Sequence, residues 1–374
     1  MDNNTGDVVH VTELANSFSK LGHNVFLIAR SRKSLNNNFN FLFNFKNIKS
    51  INYGKLWVPY VMISAFFSIL SLLINKKIDL IYERHHIFGI GVFLGKIFRI
   101  PTILEVNGLM IEEMRVLRSF HPLFINVAQI FESFVFQRTN CIISVTEGIK
   151  KYLSEKYSVP SDRIITISNG VNIDLFKPID NSKEALNLSP EFNYVLFVGS
   201  LIDWQGVDTL IKASPLILKD MPKTHFLIIG EGSMKVPWME LANQLNVSEN
   251  FLFMGAVLHE YIPLYINASD ICVVPKKPLK SGYSPLKLYE YMACGKAVIA
   301  SDLEGFEILN KANAGILVEP NNSNKLSEAI LKLLTDKDLM HEMGLNGRRE
   351  VQDYYSWYEV ARKVIQICID VKRK

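Results

Sequence analysis

YVLFVGSLIDWQGVDTLI, residues 194–211, reads as a buried strand, a turn bounded by Gly199 and Gly206, and the opening of a helix. The same alternation continues downstream. HFLIIGEG (225–232), FLFMGAV (251–257), ICVVP (271–275), AVIAS (297–301) and AGILVEP (314–320) are short apolar runs with helical stretches between them. Strands that alternate with helices predict a parallel sheet covered by helices.

The pattern also runs upstream. In the first helix Val11, Leu14, Ala15, Phe18 and Leu21 fall on one face, with Gly22 as its stop. NVFLIAR (24–30), FNFLFNF (39–45), DLIYER (79–84), PTILEVNG (101–108), CIISVT (141–146) and RIITISNGV (163–171) follow as strands. Between them lie an apolar helix at 56–74, a glycine-studded one at 88–98 and a longer helical region at about 110–138. From Phe176 to Ser189 Pro, Asp, Asn and Ser take over, which predicts a linker. The fold class is therefore α/β, with two Rossmann-like parallel-sheet domains at 1–178 and 190–352. A last helix, about 357–371, carries Trp357, Val360, Val364 and Ile367 on one face. One element is missing. A Rossmann half opens with a central strand, yet Asn4-Thr5-Gly6 and the first helix have no strand before them. Such a half has a gap between two neighbouring strands, whether the true start lies upstream or the chain is a truncated product.

Composition narrows the functional classes. Of 374 residues 48% are hydrophobic and 21% charged, enough apolar side chain for packed cores. The net charge of +4 is too small to point to nucleic acid. Its distribution is uneven: residues 1–178 hold 20 basic and 13 acidic side chains, the remainder 21 and 24. A basic N-terminal half suits an anionic membrane surface or a phosphorylated acceptor. Cys141, Cys272, Cys294 and Cys368 lack metal-like spacing and fit a reducing, cytoplasmic setting. No secretory signal opens the sequence. Leu56–Ile74 is uncharged and long enough to span a bilayer. Pro59, three serines and the strand-like run at 79–82 instead predict a buried or interfacial helix.

The sharpest chemical signal is SGYSPLKLYEYMACG, residues 281–295. Ser284 suits an N-cap, Pro285 the first helical position and Gly295 the C′ position. Lys287 then falls at N3, with Glu290 one turn further on the same face. A cation in the first turn opposes the helix dipole at a cost of about 0.3–1 kcal/mol. An anion bound there relieves the conflict, and a diphosphate fits. Glu290 could accept hydrogen bonds from a sugar or ribose diol. The plainer alternative is a solvated Lys287–Glu290 pair on a surface helix. Two turns reinforce the first reading: Gly199–Gly206 offers amides to phosphate, and Gly230-Glu231-Gly232 gives a backbone room beside a ligand.

These segments together resemble glycosyltransferase family 4 (glycosyl transferases group 1), the retaining enzymes of the GT-B fold. The resemblance rests on GDVVHVTELANSFSKLGHNV, IYERHHIFGIG with LEVNG, ISNGVNIDLFKP, VGSLIDWQGVDTLI, IIGEGS, MGAVLHEYIPLYINASDICVVP and SPLKLYEYMACGKAVIAS, nearly the whole length. ISNGVNIDLFKP and SPLKLYEYMACGK are the specific ones. The resemblance implies two domains facing a cleft, with 353–374 crossing back to the N-terminal one. It implies sugar transfer with retention from a nucleotide sugar, UDP- or GDP-linked, without metal or other cofactor. The acceptor would be lipid-linked or a polysaccharide, met at the cytoplasmic membrane face by a peripheral enzyme of cell-surface glycan synthesis. The donor-side positions are Gly6, Gly199, Ser200, Gln205, Gly230, Gly232, Ser284, Pro285, Leu286, Lys287 and Glu290. Catalysis falls to Lys287, Glu290 and Asn107, and the acceptor side to His10, Glu83, Glu105 and Asn107.

Three departures stand out. Many members carry two acidic residues with seven between them; Glu290 matches the second, while the first position is Gly282. Many have a basic pair after the first C-domain strand, where this chain has Ser200 and Gln205. Lys287, helped by Lys276, Lys277 or Lys280, must then balance the leaving charge. Where many have a histidine near the acceptor, Asn107 stands beside Glu105, with His10, His85 and His86 as other candidates. Two further readings compete with active transfer: a non-catalytic relative that binds nucleotide or partners, and a nucleotide-sugar epimerase of the same architecture.

Overall fold

The computed structural model describes residues 6–31, 42–49, 57–116, 121–279 and 283–373. Contacts divide the chain into two compact units. One runs up to Asn169 and resumes at Trp357; the other is Gly170–Ser356.

The first unit contains α1 (Gly6–Lys20), β1 (Phe26–Ser31), β2 (Asn44–Lys49), α2 (Trp57–Asn75), β3 (Ile81–Arg84), α3 (Ile90–Phe98), β4 (Thr102–Val106), α4 (Met110–Val116), α5 (Pro122–Arg138), β5 (Cys141–Ser144), α6 (Glu147–Tyr157) and β6 (Ile164–Thr166). Strands β3-β4-β5-β6 form one parallel sheet and β1-β2 a separate parallel pair. Every residue of β4 and β5 is buried, as strands covered on both faces require. The expected gap is present among the described residues: β1 and β3 share no ladder, and Phe18 of α1 meets Tyr82 of β3 edge-on at 5.8 Å. Residues 1–5, where the opening turn was read, lie outside the described residues. Two expectations change. The strand read at 39–45 forms later, at Asn44–Lys49, and 39–41 lie outside the described residues. The long helical region is two helices, α4 and α5, and His121 starts the second by accepting from the Leu123 amide at 3.2 Å. The apolar segment forms α2; no helix among the described residues is long and apolar enough to cross a membrane.

The second unit contains α7 (Ser182–Ala185), β7 (Asn193–Val198), α8 (Val207–Asp220), β8 (Thr224–Ile229), α9 (Lys235–Gln244), β9 (Phe251–Gly255), α10 (Ile262–Ala268), β10 (Ile271–Val274), α11 (Leu286–Ala293), β11 (Val298–Ser301), α12 (Ile308–Lys311), β12 (Gly315–Val318), α13 (Ser323–Thr335) and α14 (Lys337–Tyr354). Its six parallel strands lie in the order β12-β11-β10-β7-β8-β9. Successive residues of β7 feed opposite cores. Tyr194, Leu196 and Val198 pack with α11, and Val195 and Phe197 with α8. The closing helix α15 (Trp357–Arg373) returns to the first unit, packs along α1, and sets Trp357 edge-on to His10 at 4.8 Å.

Contacts set the limits of the second unit at Gly170 and Ser356. Val171 and Phe176 are buried in the second core, and Val171 donates its amide to Tyr355 O at 2.8 Å. Arg348 fixes the same segment, donating to Phe176 O at 2.8 Å and Ala293 O at 2.5 Å. Charged donors to backbone carbonyls are each worth about 1.5–3 kcal/mol. Arg348→Met should therefore lower unfolding free energy by about 2–4 kcal/mol in urea titrations. Arg348→Lys should recover only part, because one ammonium cannot reproduce the planar fork.

Candidate functional site

In the second unit β7 and β10 are neighbours, and the chain leaves them towards opposite faces of the sheet. Ligands of open α/β sheets sit at the carboxyl ends of such a pair. The two following loops interlock there. Lys277 donates its amide to Trp204 O at 3.0 Å, and a Cβ on Gly206 (φ +70°) would stand 1.8 Å from Pro275 O. Only glycine fits that contact. Gly230 and Gly232 serve a similar end. Cβ atoms there would lie 1.8 Å from Gly199 O and 2.2 Å from Leu201 O, so the room they create admits the neighbouring loop rather than a ligand. Gly199 donates to Ile229 O at 2.9 Å. Ser200 is exposed, and Gln205 is half-buried in the short 3-10 turn that leads into α8.

Helix α11 follows the β10 loop. It starts at Leu286, one residue later than its sequence suggested, because Pro285 (φ −82°, ψ 31°) is not helical. Pro285 rather than Ser284 occupies the N-cap position, and Lys287 stands at N2 instead of N3. Gly295 takes the C′ position with φ +73°. Lys287 Nζ lies 2.8 Å from Glu290 Oε2, and His259 Nε2 lies 3.5 Å from Glu290 Oε1. Burial alone would raise the Glu290 pKa, yet the charge of Lys287 and the contact with His259 outweigh it and hold the carboxyl below its usual range. The solvated-pair alternative fails, because Glu290 is only 3% exposed. His259, set against Phe176 at 5.3 Å, had no sequence signal beyond its place after β9.

The helper lysines separate. Lys277 is bound to Asp203 (2.7 Å) and Asp208 (3.3 Å), and Lys280 lies outside the described residues, as does Gly282. Lys276 makes no ion pair among the described residues; its ammonium lies over the Tyr283 ring at 4.2 Å. Burial, then repulsion from Lys287, pushes its pKa down to about 8. A cation in the first turn of α11 is thus paired with a buried carboxylate and repelled by a second, buried cation, an arrangement that an anion would complete.

In the first unit a second cluster centres on Glu105 of β4. His10 Nε2 stands 2.6 Å from Glu105 Oε1, Asn107 donates its amide to the same oxygen, and the Tyr82 hydroxyl donates to Oε2. Burial works to raise the Glu105 pKa, but His10 and these hydrogen bonds bring it down to about 2. Asn107 gives one of its two amide N–H groups to Glu105, and its carbonyl oxygen can accept. Tyr82 was not read from the sequence; its partner is 23 residues away. Glu83 does not join this cluster. It accepts from the Gly91 (3.1 Å) and Val92 (2.9 Å) amides at the start of α3, and His86 Nε2 lies 2.7 Å from it. That is a helix-capping role. His85 stacks on Phe136 at 4.9 Å and approaches Glu132 at 3.3 Å. Gly6 begins α1.

Lys276 yields a pH test. Its folded pKa of about 8 lies below the ordinary lysine value, so between about pH 8 and 10 the unfolded chain binds the extra proton and stability rises with pH. Compared with Lys276→Met, the wild type should gain on the order of 1–3 kcal/mol from pH 7 to 9.5 in urea unfolding. A constant difference would show that the ammonium bears no burial cost.

Comparison with known proteins gives the family. The family model described as Glycosyltransferase Family 4 matches residues 5–175, and that for Glycosyl transferases group 1 matches 178–350. An uncharacterized glycosyltransferase of Methanocaldococcus jannaschii is 30% identical over 293 residues, spanning 77% of this chain and 74% of the relative. The GDP-mannose-dependent monoacylated alpha-(1-6)-phosphatidylinositol monomannoside mannosyltransferase of Corynebacterium glutamicum is 28% identical over 210 residues, 54% of this chain and 55% of its own. The crystal structure of Anabaena HepE in complex with UDP and glucose superposes with a TM-score of 0.74 at 17% identity, over 97% of this chain and 95% of that one. The chain thus belongs to glycosyltransferase family 4, the group 1 glycosyl transferases, and is a glycosyltransferase of the GT-B fold.

Proposed function

We propose that the chain transfers a sugar, with retention of anomeric configuration, from a UDP- or GDP-linked donor to a lipid-linked or polysaccharide acceptor at the cytoplasmic membrane face, in cell-surface glycan synthesis. The observation that carries this reading is Lys287 in the first turn of α11, paired with buried Glu290 and repelled by the nearby buried Lys276. A diphosphate there replaces Glu290 as the partner of Lys287 and removes the repulsion between the two ammonium groups. The freed carboxylate accepts from donor hydroxyls, and no resident metal is needed to neutralise the leaving group. HepE, crystallised with UDP and glucose, and the GDP-mannose-dependent relative both support a nucleotide-linked donor. The relative's phosphatidylinositol monomannoside supports a lipid-linked acceptor.

In the proposed step the acceptor oxygen bonds to the anomeric carbon on the face from which the phosphate leaves. The C–O bond to phosphate breaks, and a departing phosphate oxygen takes the acceptor proton. On the acceptor side the reading assigns Asn107, aligned by Glu105. Ser200 and Gln205, neutral where many relatives are basic, favour the competing non-catalytic reading. Turnover of any nucleotide sugar rules that reading out.

Incubation with UDP- and GDP-sugars, with the product anomer read by NMR, should show the donor's own configuration. An inverted product refutes retention. Lys287→Ala should slow transfer about 10²–10³-fold, as expected for losing one donor to developing charge. Its apo stability should fall as well, because buried Glu290 loses the ammonium that pairs with it at 2.8 Å. Wild-type turnover in that variant would remove Lys287 from the diphosphate site.

A further inference from the structure

Helix α5 has a buried apolar face and, beside a polar strip of Asn126, Gln129, Ser133 and Gln137, a second apolar face that is exposed. Ile125, Ala128, Val135 and Phe136 are buried, yet Leu123, Phe124, Val127, Ile130, Phe131 and Phe134 are exposed, Ile130 to 70%. At about 100° per residue these six cover an arc of roughly 120° along a helix about 25 Å long. The stripe continues onto adjoining helices, since α3 packs on α5 and α2 on α3. Phe93 and Ile97 project from α3, and Ile63 and Phe67, one turn apart, from α2. Exposed apolar surface of this extent marks a partner rather than open solvent.

Charge identifies the partner. The only acid of α5, Glu132, is 3% exposed and turned inward to the Tyr157 hydroxyl and His85. Helix α2 has no charged residue, and α3 has only Lys96, which is exposed. Lys76–Lys77, Arg99 and Arg138 stand immediately before β3, β4 and β5, three adjacent parallel strands, and so gather along one edge of the sheet. All four are exposed, and Arg138 lies over the Phe134 ring at 5.0 Å. Asp79, the acid nearest this rim in sequence, is bound by Lys372 at 2.6 Å. A second copy of the same face would set one cationic rim against another. A bilayer with anionic headgroups matches both parts. Apolar side chains enter the acyl boundary by about 5–10 Å, and the rim cations meet the anionic headgroups.

We propose that the outward face of α5, extended by α3 and α2, seats the protein on an anionic lipid bilayer. This deepens the reading of an acceptor met at a membrane, but its test needs neither donor nor transfer, so the two can fail separately. Full-length protein would be floated with phosphatidylglycerol/phosphatidylcholine vesicles and with phosphatidylcholine alone, at low and high salt. Wild type should bind the anionic vesicles, bind the neutral ones at least tenfold more weakly, and weaken with salt. Ile130→Asp/Phe131→Asp should lose at least tenfold in vesicle affinity while keeping its circular dichroism and melting temperature. Should that pair misfold, Lys76→Glu/Lys77→Glu/Arg138→Glu should cut anionic binding by a similar factor. The proposal is overturned if wild type stays free at low salt, or if folded variants bind as wild type does. A dimer in sedimentation that Ile130→Asp/Phe131→Asp dissolves would assign the face to a second copy instead.

Discussion

Two neighbouring strands whose chains depart to opposite faces of one sheet govern the C-terminal unit. After β7 the chain turns to α8, which packs with Val195 and Phe197; after β10 it turns to α11, which packs with Leu196 and Val198. Only where that divergence occurs can two loops meet without a helix between them. The consequence is local and chemical. The backbone of the β10 loop lies against Gly206, and the β8 loop gives way at Gly230 and Gly232 to Gly199 and Leu201. The platform is held by backbone against backbone.

On that platform the unfavourable charges are the informative ones. A lysine at N2 opposes the helix dipole, and a second lysine rests on an aromatic ring with its pKa lowered. In the free protein Lys287 answers the buried charge of Glu290, while Lys276 makes no ion pair among the described residues; one anion would relieve the repulsion between the two ammonium groups. The Glu105 cluster of the first unit is the reverse case: a carboxylate satisfied by His10, Tyr82 and Asn107, and so fixed in charge and position. One site awaits a counter-charge and the other supplies an ordered set of donors and acceptors.

Much of this was legible from residue order alone. Short apolar runs alternating with helical periodicity gave the strand count of the second unit, and Gly295 marked the end of α11. The stripe Trp357, Val360, Val364 was readable because helical packing repeats at a fixed interval. What escaped depends on contacts between residues far apart. Nothing in VLHEYIP sets His259 beside Glu290, and nothing in IYER aims Tyr82 at Glu105 or Glu83 at the amides of α3. The Asn- and Phe-rich stretch at 36–47 shifted its strand because alternation alone does not fix where pairing starts. Proline misled once: it opened α11 as an N-cap, so Lys287 moved one place closer to the terminus.

The central claim is that the α11 terminus, with its two lysines and Glu290, is built for a nucleotide diphosphate. Calorimetric titration of UDP, GDP and ADP into wild type and Glu290→Gln tests it most directly. The account predicts that one nucleotide binds the wild type and that the substitution weakens it at least tenfold while the protein stays folded. Absence of binding by folded wild type, or equal binding by both proteins, would contradict it.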